Sequence, residues 1–215
     1  MMKVLAICLL VAGCFWQGCA PVFSEMQSAR MLKKGQTELT GHYSAVSLNA
    51  EGETEKVQNQ VGLQLGTGVA DNVNLRVRLE RISSAIDEEF FDDLPSIYAV
   101  GFGPKLGNPG GNVAINLPVG FAFGEDVRTE KSWEFQPTLL FTVPVTPQFE
   151  INPSGKALIP IGNPDLDVLV AFNLGLGISS DLNRWALRPE VGYLFNPGED
   201  GHYFHWSVGL SVSTP

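Results

Sequence analysis

Beyond residue 19 the chain has no cysteine; its three are Cys8, Cys14 and Cys19. The rest of the sequence therefore holds neither a disulfide framework nor a thiolate metal cluster. Basic residues are also scarce, 14 Lys and Arg against 23 Asp and Glu, for a net charge of -9. With no basic patch to neutralise phosphates, nucleic-acid binding is excluded. Long apolar runs are missing too. The longest, Val4 to Val11, falls well short of the roughly 20 residues a helix needs to cross hydrocarbon. No His/Asp/Glu group has metal-ligand spacing and no glycine-rich loop has phosphate-cradling form, so no cofactor or metal is expected. A length of 215 residues suits one domain.

What is present begins at the N-terminus. Lys3, the apolar run and then Ala12-Gly13-Cys14 have the layout of an export signal with a small-residue cleavage context. A cysteine after small residues has the form of a bacterial lipobox, in which the thiol is acylated. Val11-Ala12-Gly13-Cys14 fits best; Trp16-Gln17-Gly18-Cys19 offers only its glycine but a longer stretch before it. The lipid attachment site is therefore Cys14 or Cys19, with an ordinary cleaved signal peptide as the alternative. This divides the chain into residues 1–19, a signal and acylation region; 20–35, a tether; and 36–215, the folded domain. In the tether, Ser24-Glu25-Met26-Gln27 has capping-box form. Met26, Ala29, Met31 and Leu32 supply apolar positions, Lys33 and Lys34 suit a helix C-terminus, and Gly35 can close it. The expectation is a short helix, either a plain tether or one lying against lipid headgroups.

From Gln36 onward the period becomes two. Leu39, Gly41, Tyr43 and Ala45 alternate with Glu38, Thr40, His42 and Ser44. Val73, Leu75, Val77 and Leu79 alternate with Asn74, Arg76, Arg78 and Glu80, and the same pattern recurs to Val212. These are strands in successive hairpins, about ten of them, each long enough to cross a bilayer when tilted. Pro118, Pro137 and Pro189 fall inside strands, where each removes a ladder bond. If they break strands, the count falls to eight.

The second face decides between a membrane barrel and a soluble lipocalin-like barrel that binds a small hydrophobic ligand. A water-facing surface is dense in Lys and Glu. This face is Gly, Ala, Ser, Asn and Gln with isolated charges of both signs: Glu38, Arg76, Arg78, Glu80, Lys105, Glu134, Glu150, Lys156, Arg188 and Glu190. Such a set suits a narrow lumen in which charges pair with one another. Tyr43, Trp133, Phe135, Trp185, Tyr193, Phe195 and Trp206 lie on the apolar face, as an interfacial girdle does. Connections near residues 70–72, 107–111, 146–148 and 179–183 are short, and the alternate ones, at 49–55, 84–95, 124–131 and 159–165, are longer and acidic. With short periplasmic turns and long outer loops, both termini are expected in the periplasm. The acidic loop Asp87 to Asp93 reads as a solvated outer loop.

The stretch Cys19-Ala20-Pro21-Val22-Phe23-Ser24-Glu25-Met26, with Ala29, Met31 and Lys34-Gly35, and hairpins such as Asp71-Asn72-Val73-Asn74-Leu75-Arg76 resemble uncharacterised outer-membrane β-barrel lipoproteins of Bacteroidota-type bacteria. That resemblance implies acylation at Cys19 and brings no catalytic residues. A second likeness is local. His42-x-Ser44 and His205-x-Ser207 each place the pair on one strand face, which resembles the base-activated serine of outer-membrane lipid A deacylases. No acidic orienter is identifiable in the sequence. The reading is an all-β, antiparallel up-and-down membrane barrel, non-enzymatic and monomeric. Its partners are outer-membrane lipid and a covalent N-terminal lipid, and its role is structural, at the surface, or that of a narrow polar pore.

Overall fold

A computed structural model describes residues 22–50, 52–85, 96–124, 127–163 and 166–214. Among them one antiparallel sheet contains β1 (Thr37–Ala50), β2 (Glu53–Ala70), β3 (Val73–Ser84), β4 (Ile97–Gly107), β5 (Val113–Asn116), β6 (Val119–Gly124), β7 (Glu134–Phe135), β8 (Thr138–Phe141), β9 (Val143–Thr146), β10 (Phe149–Pro160), β11 (Leu169–Ile178), β12 (Trp185–Phe195) and β13 (His202–Ser213). β5 and β6 are one interrupted stave, as are β7, β8 and β9, so the thirteen pieces make ten staves. β13 pairs with β1 from Glu38↔Ser213 to Asn49↔His202, which closes the barrel and leaves no free edge.

The prolines explain the interruptions without reducing the count to eight. Pro118 and Pro137 lie in gaps on neighbouring staves, where their carbonyls still accept from Gln136 N (2.9 Å) and Ala157 N (3.1 Å). Pro189 stays within β12, opposite Val208. On its other side the β11 ladder passes directly from Gly175↔Glu190 to Ile178↔Leu187.

Alternation sets what each face meets. Rows such as Val61, Leu63 and Leu65, or Leu75, Val77 and Leu79, point outward and are exposed. Thr40, Ser44, Gln60, Asn74, Glu80, Lys105 and Glu150 point inward and are buried. A soluble barrel has the reverse arrangement, so the apolar exterior marks a lipid-facing wall. The aromatics gather mostly toward one rim: Phe121 stacks on Trp133 with centroids 4.7 Å apart, and Tyr43 lies 5.6 Å from Trp206.

The short turns share one end of the barrel. The connection between β1 and β2, expected to be long, is a two-residue hairpin in which Ala50 pairs with Glu53 and Gly52 has φ of 82°. The strands simply continue past the apolar band there. The acidic stretch 87–93 lies outside the described residues.

The largest departure concerns residues 22–34. No helix forms; the one helical piece among the described residues is a 3-10 turn, Thr129–Lys131. From Val22 to Leu32 the segment is extended and inside the barrel, with Lys33 and Lys34 exposed where it leaves. An α-helix with side chains is about 10–12 Å across and would not fit beside the long lumen side chains. A helix this short is also marginal without tertiary support. Nor is it a headgroup-facing tether: Val22 to Ala29 are all buried. The two ends of the described chain also separate. Thr214 N bonds Thr37 O (2.8 Å) at the short-turn end. Val22 packs with Ile82, Ile97 and Ala122 at the long-loop end. The expectation that both termini lie in the periplasm concerns, at the N-terminus, residues outside the described ones; the first described residue, Val22, is at the opposite end from Thr214.

Candidate functional site

The lumen is the region where polar and ionisable groups converge. Its wall makes room for long side chains by placing glycine opposite them. In register, Gly62 faces Glu80, Gly177 faces Glu150, Gly192 faces His205 and Gly209 faces Arg188. A methyl group on Gly177 would come within 2.6 Å of the Glu150 side chain, and one on Gly62 or Gly192 would collide with Glu80 or His205.

The charges form linked pairs. Arg76 Nη1 is 3.3 Å from Glu38 Oε1, and Arg188 Nη2 is 3.7 Å from Glu38 Oε2. Arg188 Nη1 continues to Glu150 (3.5 Å), which also meets Arg30 Nε at 2.6 Å. Further along β1 and β3, Arg78 Nε donates to Glu80 Oε1 (2.5 Å), and His42 Nε2 lies 2.8 Å from the same oxygen. Lys156 pairs with Glu25. Glu134 is buried nearer the long-loop end and accepts from Gln136 Nε2 at 2.9 Å. Unpaired, each of these groups would cost several kcal/mol inside a protein; here opposite signs lie within contact distance.

The segment 22–34 is bound into that network through its backbone. A buried chain without a strand partner must satisfy its N–H and C=O groups some other way, and wall side chains do so. Asn173 Nδ2 donates to Phe23 O (2.8 Å). Arg78 donates to Ser24 O and, at 2.7 Å, to Ser24 Oγ. Gln64 Nε2 donates to Glu25 O at 3.2 Å. Lys105 Nζ donates to Ser28 O (2.6 Å) and Arg30 O (2.8 Å). The carboxylate of Glu190 accepts from Glu25 N (2.7 Å) and Met26 N (3.0 Å). Met26 has φ of 54°, which aims the two consecutive N–H groups at one acceptor, as in anion-binding backbone nests. Ala29 N donates to Thr142 Oγ1 (2.7 Å). Ser24, the expected helix cap, is an acceptor for Arg78 instead. The segment leaves the lumen at Gly35, whose φ is 83° and whose N–H donates to Gly68 O at 2.8 Å.

Apolar contacts hold both ends. Phe23 packs with Val46, Leu48, Val57, Leu158 and Leu194 under the long-loop rim, and Ala29 with Ala114 and Leu140 toward the other end. Beside the segment, spaces in the lumen include two of about 30 Å³, lined in part by Arg78 and Glu134 or by Gln64 and Lys156. That is water-sized. Above Phe23, a cavity of about 260 Å³ opens at the long-loop end between Leu48, Leu169, Leu194 and Tyr203, with Asp167 and Asp200 at its edge.

The two His-x-Ser pairs face the lumen. His205 Nδ1 is 2.6 Å from Ser207 Oγ, and its Nε2 is 3.1 Å from Asn173 Oδ1 and 3.7 Å from Glu190. This supplies the orienting groups the sequence did not reveal. His205 and Ser207 are only 1% and 3% exposed, and the Phe23 ring stands edge-on to the imidazole at 4.6 Å. Ser207 Oγ donates to Ser44 Oγ (2.8 Å). His205, Ser207, Ser44 and Asn173 thus form one buried, hydrogen-bonded lumen cluster. Among the described residues no His/Cys/Asp/Glu group is arranged to hold a metal ion. Cys14 and Cys19 lie outside the described residues.

Sequence reasoning missed Gln64, Thr142 and Asn173, which hold the segment, and Glu25 and Arg30, which contribute to the charge network from within it. The glycines opposite the lumen charges were a signal that the lumen is crowded. Nothing local indicated what else crowds it.

No protein-family model matches the chain, and no curated protein matches it. Solved structures do. The translocator domain of autotransporter NalP from Neisseria meningitidis superposes with a TM-score of 0.51 at 8% identity, over 84% of this chain and 89% of that one. At that identity the likeness shows the fold: a closed membrane β-barrel. KdgM porin (TM-score 0.43, 10% identity, 84% of this chain and 99% of that one) and Ail, the attachment invasion locus protein of Yersinia pestis (0.40, 12%, 84% and 99%), also match.

Proposed function

We propose that the chain is an outer-membrane β-barrel lipoprotein of the Bacteroidota-type class that its N-terminal stretch resembles. It is acylated at Cys14 or Cys19 and acts as a structural or surface protein, not as a pore. One observation carries the non-conducting part: the lumen is occupied by the protein's own residues 22–34, held by Arg78, Lys105, Asn173 and Glu190. The apolar exterior supports a place in the membrane, and the likeness to the autotransporter translocator domain supports the outer membrane. Closure without a free edge fits a monomer. The bonded, buried state of His205 and Ser207 supports a non-enzymatic reading.

The test is conductance in planar bilayers. The full chain stays at background, and a variant lacking residues 22–34 opens in discrete steps. Stepwise conductance by the full chain would overturn the proposal in favour of a narrow polar pore. For the deacylase idea, a His205→Ala, Ser207→Ala double variant is expected to leave envelope lipid A unchanged.

A further inference from the structure

The direction of the lumen segment has a topological consequence. It enters under the long-loop rim at Val22 and Phe23 and leaves at the short-turn end near Lys33 and Gly35, where β1 begins. Residues ahead of Val22 therefore start from the long-loop mouth.

Two routes could bring them back to the short-turn side, and both are closed. The lumen has no room for a second pass. A single added methyl at Gly62, Gly177 or Gly192 would already strike Glu80, Glu150 or His205. A route along the outside would drag unpaired backbone through hydrocarbon, at a cost of several kcal/mol for each unsatisfied group. Nor does the wall part: every stave is paired on both sides, and backbone bonds from Gln136 and Ala157 bridge the interruptions at Pro118 and Pro137.

We propose that the N-terminal part of this chain is displayed on the long-loop face, so that the acylated cysteine anchors in the outer leaflet of the membrane and not in the periplasmic one. Cys19 lies three residues ahead of Val22 and Cys14 eight, about 10 and 27 Å of extended chain. The protein is then a surface lipoprotein whose own barrel carries its anchor segment across the membrane. Residues 22–34 are the conduit: their backbone is bonded to side chains of β2, β3, β4, β11 and β12 along the way. This rests on the outer-membrane reading above, with the long loops outside.

The experiment places one short epitope in the full chain at three positions, one per variant: after Ala20, after Gly198 in the β12–β13 connection, and after Asp71 in the short β2–β3 turn. Each variant is first checked for a boiling-dependent gel shift, then probed with antibody on intact and on permeabilised cells. The expected result is equal labelling of the Ala20 and Gly198 epitopes on intact cells, with the Asp71 epitope reached only after permeabilisation. Labelling at Gly198 with the Ala20 epitope hidden until permeabilisation overturns the proposal and leaves the outer-membrane barrel standing. Failure to reach the Gly198 epitope on intact cells sinks the orientation, and the proposal with it. The untagged chain gives a second readout that does not depend on an insertion folding. Protease added to intact cells is expected to trim the N-terminus toward Val22 and release metabolically incorporated acyl label. An intact, lipid-bearing N-terminus on cells whose β12–β13 connection has been cut would refute the proposal.

Discussion

The lumen segment and strand β3 lie side by side, one inside the barrel and one in its wall, yet they satisfy their backbones by opposite means. β3 runs from Val73 to Ser84 between β2 and β4, and its N–H and C=O groups bond other backbones in an unbroken β4 register. Residues 22–34 have no ladder. Their carbonyls and amides depend on Arg78, Lys105, Asn173, Gln64, Thr142 and Glu190, each a particular side chain at a particular place. A ladder tolerates side-chain change because the bonds are generic. A side-chain-satisfied segment does not, since removing one donor or acceptor strands a buried partner. The barrel wall is thus robust and the threaded segment is specific.

The largest effect that would break this contrast comes from Glu190. Replacing it with Ala strands two backbone amides, on Glu25 and Met26, and is expected to cost about 2–5 kcal/mol, since each buried donor left unsatisfied costs about 1–3 kcal/mol. The readout is urea unfolding in detergent followed by loss of the boiling-dependent gel shift. An unchanged midpoint would mean that the segment is not held where it is described. Next comes the wall. Val77, half exposed on the outer face, mutated to Arg puts a charge against lipid at a cost of about 2–4 kcal/mol near the midplane. The same unfolding assay in lipid vesicles reports it. If Val77→Arg were silent, the exterior would not face hydrocarbon.

A smaller effect separates the two faces of one sheet. Gly62→Ala pushes a methyl into the Glu80 carboxylate, whereas on Gly41 the nearest group to an added methyl is Leu63 Cδ2 at 3.6 Å. Overpacking predicts a loss of about 1–3 kcal/mol for the first, and the second should leave the midpoint close to wild type. Equal effects would remove the crowded-lumen explanation for the glycines. The smallest expected change is Tyr43→Phe, which deletes the hydrogen bond from Tyr43 Oη to Asn59 Oδ1 (2.6 Å). About 1 kcal/mol is the usual net worth of such a bond, and a shallow shift in the same unfolding curve would register it.

Much of the wall was legible. Period-two alternation placed Leu63, Leu75 and Val77 outside and Glu38, Arg76, Glu80, Lys105 and Arg188 inside, because side-chain direction in a strand follows from chain geometry alone. Loop lengths separated the two ends, except at residues 49–55, where polar composition hid a strand that continues beyond the membrane. The prolines raised the right question, and the register answered it: gaps at Pro118 and Pro137 and a skipped stretch of ladder beside Pro189 let ten staves survive. Residues 24–34 were misread. Ser24, Gln27, Lys33 and Gly35 carry genuine local helix signals, but local preference is worth little once lumen side chains bond the extended backbone at Phe23, Ser24, Glu25, Met26, Ser28, Ala29 and Arg30.

By itself, then, the sequence determined the alternation, the unlike chemistry of the two faces, the strand lengths and the hairpin order. All of these are short-range consequences of residue type and spacing. Only the tertiary structure decided what fills the barrel and which way it runs. The partners of Phe23, Glu25 and Met26 lie 150, 165 and 164 residues away at Asn173 and Glu190. Contacts of that separation exist only after the staves have closed, when an extended chain with its backbone bonded fits the remaining space and a helix does not.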